Sequence, residues 1–271
     1  MRLLRIVLIV ILVAVTVLYG VTAVSQNMNT HHEAPTIEGG TDVLEISVQD
    51  DESALLAGLT ARDTQDGDLT ADLLVSGISK FTDTETATAN AACLVFDSDG
   101  NMASLTRTFR YTDYTPPRFS LTQPLNYKAS ETISLLDRLH ATDCIDGDLT
   151  GSIRVSYPRA TATGEIYLIT VQVTNSMGDT SELELEMIRQ ADNFNRPEVK
   201  LSAYLLYLEQ GSSFAPMDYV SYVDIGGTAV SKSLVTATGS VDTSRPGTYF
   251  VHYSYNDGTS TGMSILTVVV E

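Results

Sequence analysis

The stretch Asp63-Thr64-Gln65-Asp66-Gly67-Asp68-Leu69-Thr70 returns as Asp143-Cys144-Ile145-Asp146-Gly147-Asp148-Leu149-Thr150, with Asp66 and Asp146 80 positions apart. Similarity at a fixed long interval means that one structural unit is used more than once. Upstream, each copy opens after a proline, Pro35 and Pro117. Pro197 opens a third, which keeps only a trace of the loop, Tyr222-Val223-Asp224-Ile225-Gly226-Gly227.

Downstream of each loop the chain alternates. Ala89, Ala91, Cys93 and Val95 lead to Asp97, Tyr167, Ile169, Val171 and Val173 lead to Asn175, and Tyr249, Val251, Tyr253 and Tyr255 lead to Asp257. A period of two marks a strand with one face buried. A turn and a further strand follow in each copy, over 102–111, 181–188 and 263–270, which predicts a hairpin. No segment beyond residue 24 sustains a helical period. About seven short strands in some eighty residues predict a two-sheet sandwich. The expectation is therefore an all-β chain of three tandem antiparallel sandwiches, over residues 35–113, 114–192 and 193–271. The joints, Asp113 to Pro117 and Asp192 to Pro197, are short and proline-stiffened.

Ahead of the repeats, Ile6 to Val24 is an uncharged, mostly apolar run preceded by Arg2 and Arg5. As a helix it would span roughly 28 Å, close to the hydrocarbon thickness of a bilayer. The arginines keep the N-terminus cytoplasmic and leave the rest of the chain outside. Residues 1–25 are thus expected to be a signal anchor forming one transmembrane helix. Val21-Thr22-Ala23 offers the alternative of a cleaved signal and a secreted protein. Residues 26–34, with His31-His32-Glu33, read as a linker.

The net charge of −18 argues against nucleic acid as a partner. The acid is unevenly spread. Residues 34–113 hold 15 Asp/Glu against 4 Lys/Arg, residues 114–192 hold 11 against 6, and residues 193–271 hold 7 against 4. Cys93 and Cys144 fall in different repeats, too few for a disulfide framework.

The loop Asp63 to Thr70, its copy Asp143 to Thr150, and Val241-Asp242-Thr243-Ser244-Arg245-Pro246-Gly247-Thr248-Tyr249 together resemble the bacterial surface Ig-like domain family. The first two repeats match the acidic loop of that family and the third matches the proline-glycine-tyrosine part. The resemblance covers residues 35–271. It implies tandem Ig-like sandwiches in an exported protein and says little about activity, because a fold is not a function.

Several residues suggest sites. Asp63, Asp66 and Asp68, and likewise Asp143, Asp146 and Asp148, could supply oxygen ligands to Ca²⁺, with carbonyls and water completing the shell. The competing reading is that they cap turn N–H groups, with glycine at a positive φ. No other cofactor is implied. Tyr204, Tyr207, Tyr219 and Tyr222 could form a face for a surface protein or a cell-wall glycan. Gly258-Thr259-Ser260-Thr261-Gly262 matches a nucleophile elbow by letter, but a strand follows it and no His does. No acid–base pair emerges, so an enzyme is not expected. The sequence predicts a membrane-anchored structural and interaction module, with a rod stiffened by Ca²⁺ as the alternative.

Overall fold

The structure is a computed structural model and describes residues 11–22, 33–156, 158–161, 165–190 and 196–271. Beyond residue 33 the described chain is strands, turns and short 3-10 segments. Two compact units divide it, Met1–Asp113 and Tyr114–Glu271. The first contains repeat 1 and the second contains repeats 2 and 3.

Repeat 1 comprises β1 (Thr36–Glu38), β2 (Leu44–Ile46), β3 (Thr60–Asp63), β4 (Gly67–Asp68), β5 (Leu74–Ile78), β6 (Thr88–Phe96) and β7 (Met102–Tyr111). Its sheets run β1-β3-β4 and β2-β7-β6-β5. Repeat 2 comprises β8 (Arg118–Leu121), β9 (Asn126–Lys128), β10 (Leu139–Asp143), β11 (Gly147–Asp148), β12 (Arg154–Val155), β13 (Arg159–Ala160), β14 (Ile166–Thr174) and β15 (Thr180–Gln190). Repeat 3 comprises β16 (Glu198–Leu201), β17 (Leu205–Leu208), β18 (Val220–Ile225), β19 (Thr228–Val230), β20 (Val235–Thr238), β21 (Gly247–Asn256) and β22 (Thr261–Val270). Their sheets repeat the plan: β11-β10-β8 with β12-β14-β15-β9, then β16-β18-β19 with β17-β22-β21-β20.

One expectation needs correction. The larger sheets are mixed, because β2 runs parallel to β7, β9 to β15 and β17 to β22. The opening segment of each repeat is shared between the two sheets, and it reaches the second one still heading the same way. In repeat 1 the crossing is made at Gly39 and Gly40, with φ of 103° and 72°. A Cβ on Gly39 would lie 2.5 Å from the Gly58 carbonyl oxygen, so only glycine fits there.

The alternating residues point inward. Ala89, Ala91, Cys93, Val95 and Phe109 are buried in repeat 1. Phe119, Leu139, Ile169, Val171, Val173, Leu183, Leu185 and Met187 form one core in repeat 2. Val199, Val223, Val251, Tyr253, Tyr255, Leu266 and Val268 belong to another in repeat 3. Each fully buried aliphatic or aromatic side chain contributes about 1.5–3 kcal/mol.

A helix lies within Ile6–Val24, but the transmembrane span expected there is not shown. Residues 11–22 are helical and their apolar side chains are exposed. Among the described residues no helix is long and apolar enough to cross a membrane. Residues 6–10 and 23–24 of the proposed span lie outside the described residues, as do His31 and His32 of the linker and residues 192–195 of the second joint.

Candidate functional site

The two acidic loops have the same geometry. Asp63 Oδ1 accepts the N–H groups of Gln65 at 2.7 Å and Asp66 at 2.9 Å. Asp143 Oδ1 accepts those of Ile145 and Asp146 at the same distances. Gly67 and Gly147 turn each loop at φ of 80° and 73°. Asp68 and Asp148 accept the N–H of Thr70 and Thr150. The Thr70 hydroxyl and N–H hold Asp68 below the usual carboxylate range, and Thr150 does the same for Asp148.

Asp66 and Asp146 act at longer range. The Asp66 carboxylate accepts the Ser98 N–H at 2.7 Å and its hydroxyl at 2.9 Å. Asp146 receives the same two bonds from Ser176, at 2.6 and 2.7 Å. The loop of the smaller sheet is thereby pinned to the hairpin turn of the larger one. Sequence reasoning passed over Ser98 and Ser176, although each follows the Asp or Asn that ends the alternating strand. Asp143 also joins a buried network: Asn175 Nδ2 donates to its Oδ2 at 3.1 Å and to the Tyr114 hydroxyl at 2.8 Å, and Tyr114 donates to Asp179 at 2.7 Å. Burial, then the Asp179 carboxylate, pushes the Tyr114 phenol far above its usual range.

In both loops these carboxylates cap turn N–H groups. Among the described residues no group of three or more His, Cys, Asp or Glu is arranged to hold a metal ion.

The four tyrosines separate. Tyr207 lies inside the second unit, where its hydroxyl accepts the Phe119 N–H at 3.2 Å and the Arg118 guanidinium sits 5.0 Å above its ring. Tyr219 stacks on Phe214 at 5.4 Å. Tyr222 is the exposed one, at 41%. It pairs across strands with Lys200, and half-buried Tyr204 stands near both.

Repeats 2 and 3 touch through the outward faces of their larger sheets. Ile166 and Ile188, a cross-strand pair, pack with Ile265, Phe250 and Met263. Glu186 Oε2 and His252 Nε2 lie 2.5 Å apart beside this cluster, and Asn126 Nδ2 donates to the Met263 carbonyl at 3.0 Å. Next to this junction opens a cleft of about 450 Å³, lined by Tyr127, Lys128, Arg138, Arg196, Lys200 and Tyr204 among others. Two of its cations are paired: Arg138 with Glu131, covering the Tyr127 ring at 4.2 Å, and Lys200 with Glu198.

Cys93 is buried, Cys144 is half-buried, and both are free thiols. Burial raises the Cys93 thiol above its ordinary value.

A segment is 33% identical over 124 residues to the pesticidal crystal protein Cry22Aa of Bacillus thuringiensis, covering 44% of this chain and 16% of that protein. The chain therefore spans a small part of that relative's length. Similar solved structures include the M60 catalytic domain with CBM51-1 and CBM51-2 from Clostridium perfringens ZmpB, at 13% identity and a TM-score of 0.24, covering 87% of this chain and 30% of that one. They also include three extracellular repeats of human CDH23, at 12% identity and a TM-score of 0.22, covering 88% and 100%. A family model described as bacterial surface protein, Ig-like domain, matches residues 203–267. The matched residues make up most of repeat 3, and over them the chain is similar to that family.

Proposed function

We propose that this chain is an exported, membrane-tethered repeat protein whose Ig-like sandwiches serve as a structural and interaction module at the cell surface. The observation that carries this reading is the surface-domain match over 203–267, on a topology used three times in the chain. The apolar run Ile6 to Val24 behind Arg2 and Arg5 supports the tether and its orientation. Tyr222 and Tyr204, beside the cleft of the second unit, are the tyrosines best placed to meet a wall polymer or a surface protein. The reading assigns no catalytic role.

It needs no bound cation either, because Asp63, Asp66, Asp68, Asp143, Asp146 and Asp148 already accept bonds from the N–H groups around them. Calcium at about 5 mM, well above the Kd range of extracellular modules, is expected to leave the melting temperature unchanged. A clear rise would favour the ion-stiffened rod.

A topology test uses the thiols. A membrane-impermeant maleimide applied to intact cells should label Cys144 and spare buried Cys93. Labelling of Cys144 only after lysis would contradict export.

A further inference from the structure

Four outward positions at one end of the larger sheet can be compared across the three repeats. In repeat 1 they are the cross-strand pairs Leu74–Leu94 and Phe96–Met102. The same places hold Arg154–Gln172 and Thr174–Thr180 in repeat 2, and Thr236–Ser254 and Asn256–Thr261 in repeat 3. Where this fold turns the four positions to water it uses polar side chains. The Thr174 and Thr180 hydroxyls bond at 2.8 Å, and those of Thr236 and Ser254 at 2.9 Å. Repeat 1 places four apolar side chains there instead. Leu74 is 55% exposed, Phe96 48% and Met102 51%. A scattered exposed leucine is ordinary, but four neighbouring apolar residues that the fold does not require mark a contact surface.

The rim says what would cover it. Exposed Asp72 lies two residues before Leu74, exposed Asp99 sits in the turn between Phe96 and Met102, and Asp66 and Asp68 are at the same end through the Asp66–Ser98 bonds. Repeat 1 has few cations to offset them. Arg62, cross-strand from Asp68, is the cation at this end and stands against Asp66, Asp68, Asp72 and Asp99; Arg107 is buried, Arg110, near the far end of β7, is paired with Glu45, and Lys80 follows the far end of β5. A second copy would bring one strongly acidic surface against another, which like-charge repulsion opposes. We propose that Leu74, Leu94, Phe96 and Met102 form a docking face for a basic polypeptide segment carrying apolar side chains. The proposal rests on the interaction-module reading and gives it a site and a partner chemistry.

The test uses the full chain in nanodiscs of zwitterionic lipid and, as probe, a short synthetic peptide of alternating Lys and Leu, followed by fluorescence anisotropy. The repeat-2 residues are installed as Phe96→Thr with Met102→Thr, a change the fold already accommodates at these positions. We expect this variant to bind the probe at least about tenfold more weakly, a loss of ~1.4 kcal/mol, while Phe96→Leu with Met102→Leu retains binding. Salt should weaken the wild-type interaction, and a Glu–Leu peptide should not bind. Equal binding by the Thr variant, or no binding by the wild type, overturns the docking face. Concentration-dependent dimerisation abolished by the Thr variant also overturns it, in favour of a second copy. None of these results touches the thiol-labelling test of export, so failure here is distinguishable from failure of the module reading.

Discussion

Repeat 1 and repeat 3 use the same hairpin to fill the same space with different side chains. On β6 the inward residues are Ala89, Ala91, Cys93 and Val95; on β21 they are Tyr249, Val251, Tyr253 and Tyr255. Across the hairpin, Ala91 faces Arg107 where Val251 faces Leu266. Arg107 is 7% exposed and turns its guanidinium to the carbonyls of Leu55 and Ala57, bonding the former at 3.0 Å. The small β6 side chains leave room, and a long cationic side chain occupies it by tying down the 3-10 segment Glu52–Leu56. Repeat 3 instead fills its middle with tyrosine rings, and Tyr253 donates to the Pro216 carbonyl at 2.7 Å. The topology therefore fixes which positions face inward and leaves the manner of filling them free.

Truncation at these matched positions should break the two fillings unequally. Tyr253→Ala removes a fully buried ring and is expected to destabilise repeat 3 by about 3–5 kcal/mol. Urea-dependent hydrogen exchange of the β21–β22 amides would measure it. Arg107→Leu, which gives repeat 1 the side chain found at Leu185 and Leu266, should cost about 2–3 kcal/mol, because the two carbonyls lose a charged donor. The same measurement on β6–β7 checks it, and a stabilised repeat 1 would mean that the arginine is a misfit. Tyr253→Phe keeps the ring and loses one bond, so about 1 kcal/mol is expected.

The smallest effect concerns pH. Hydrogen bonds from the Thr259 hydroxyl and N–H and from Ser260 hold Asp257 far below the usual carboxylate range, and Ser244 lowers Asp242. Because the folded values are depressed, the stabilisation is complete above the unfolded carboxylate value of about 4 and is lost as pH falls towards the folded ones. Melting temperatures should thus decline only on the acid side of that value. Asp257→Asn should flatten the decline.

Much of the fold was legible because alternation is a backbone property that survives large changes in side-chain volume. Tyr249 to Tyr255 and Ala89 to Val95 announce the same strand, although they share almost no chemistry. The parallel pairing of β2, β9 and β17 was not legible, because three- and four-residue strands carry too few alternations to reveal which sheet they join. The packing of Ile166 and Ile188 against Ile265 was equally hidden. Outward apolar residues look alike in sequence whether a neighbouring repeat covers them or, as with Phe96 and Met102, nothing in their own sandwich does. Of the candidate sites, the Asp-Gly-Asp turns could be read from spacing. The Asp66–Ser98 and Asp146–Ser176 clasps could not, because their partners lie some thirty residues apart.

Native-state hydrogen exchange on the full chain tests whether three sandwiches of one topology have unequal cores. Three separately protected hairpins are expected, β6–β7, β14–β15 and β21–β22, with β6–β7 opening at lower denaturant than β21–β22. Loss of protection in any one of the three, or a single transition shared by all of them, would contradict this expectation.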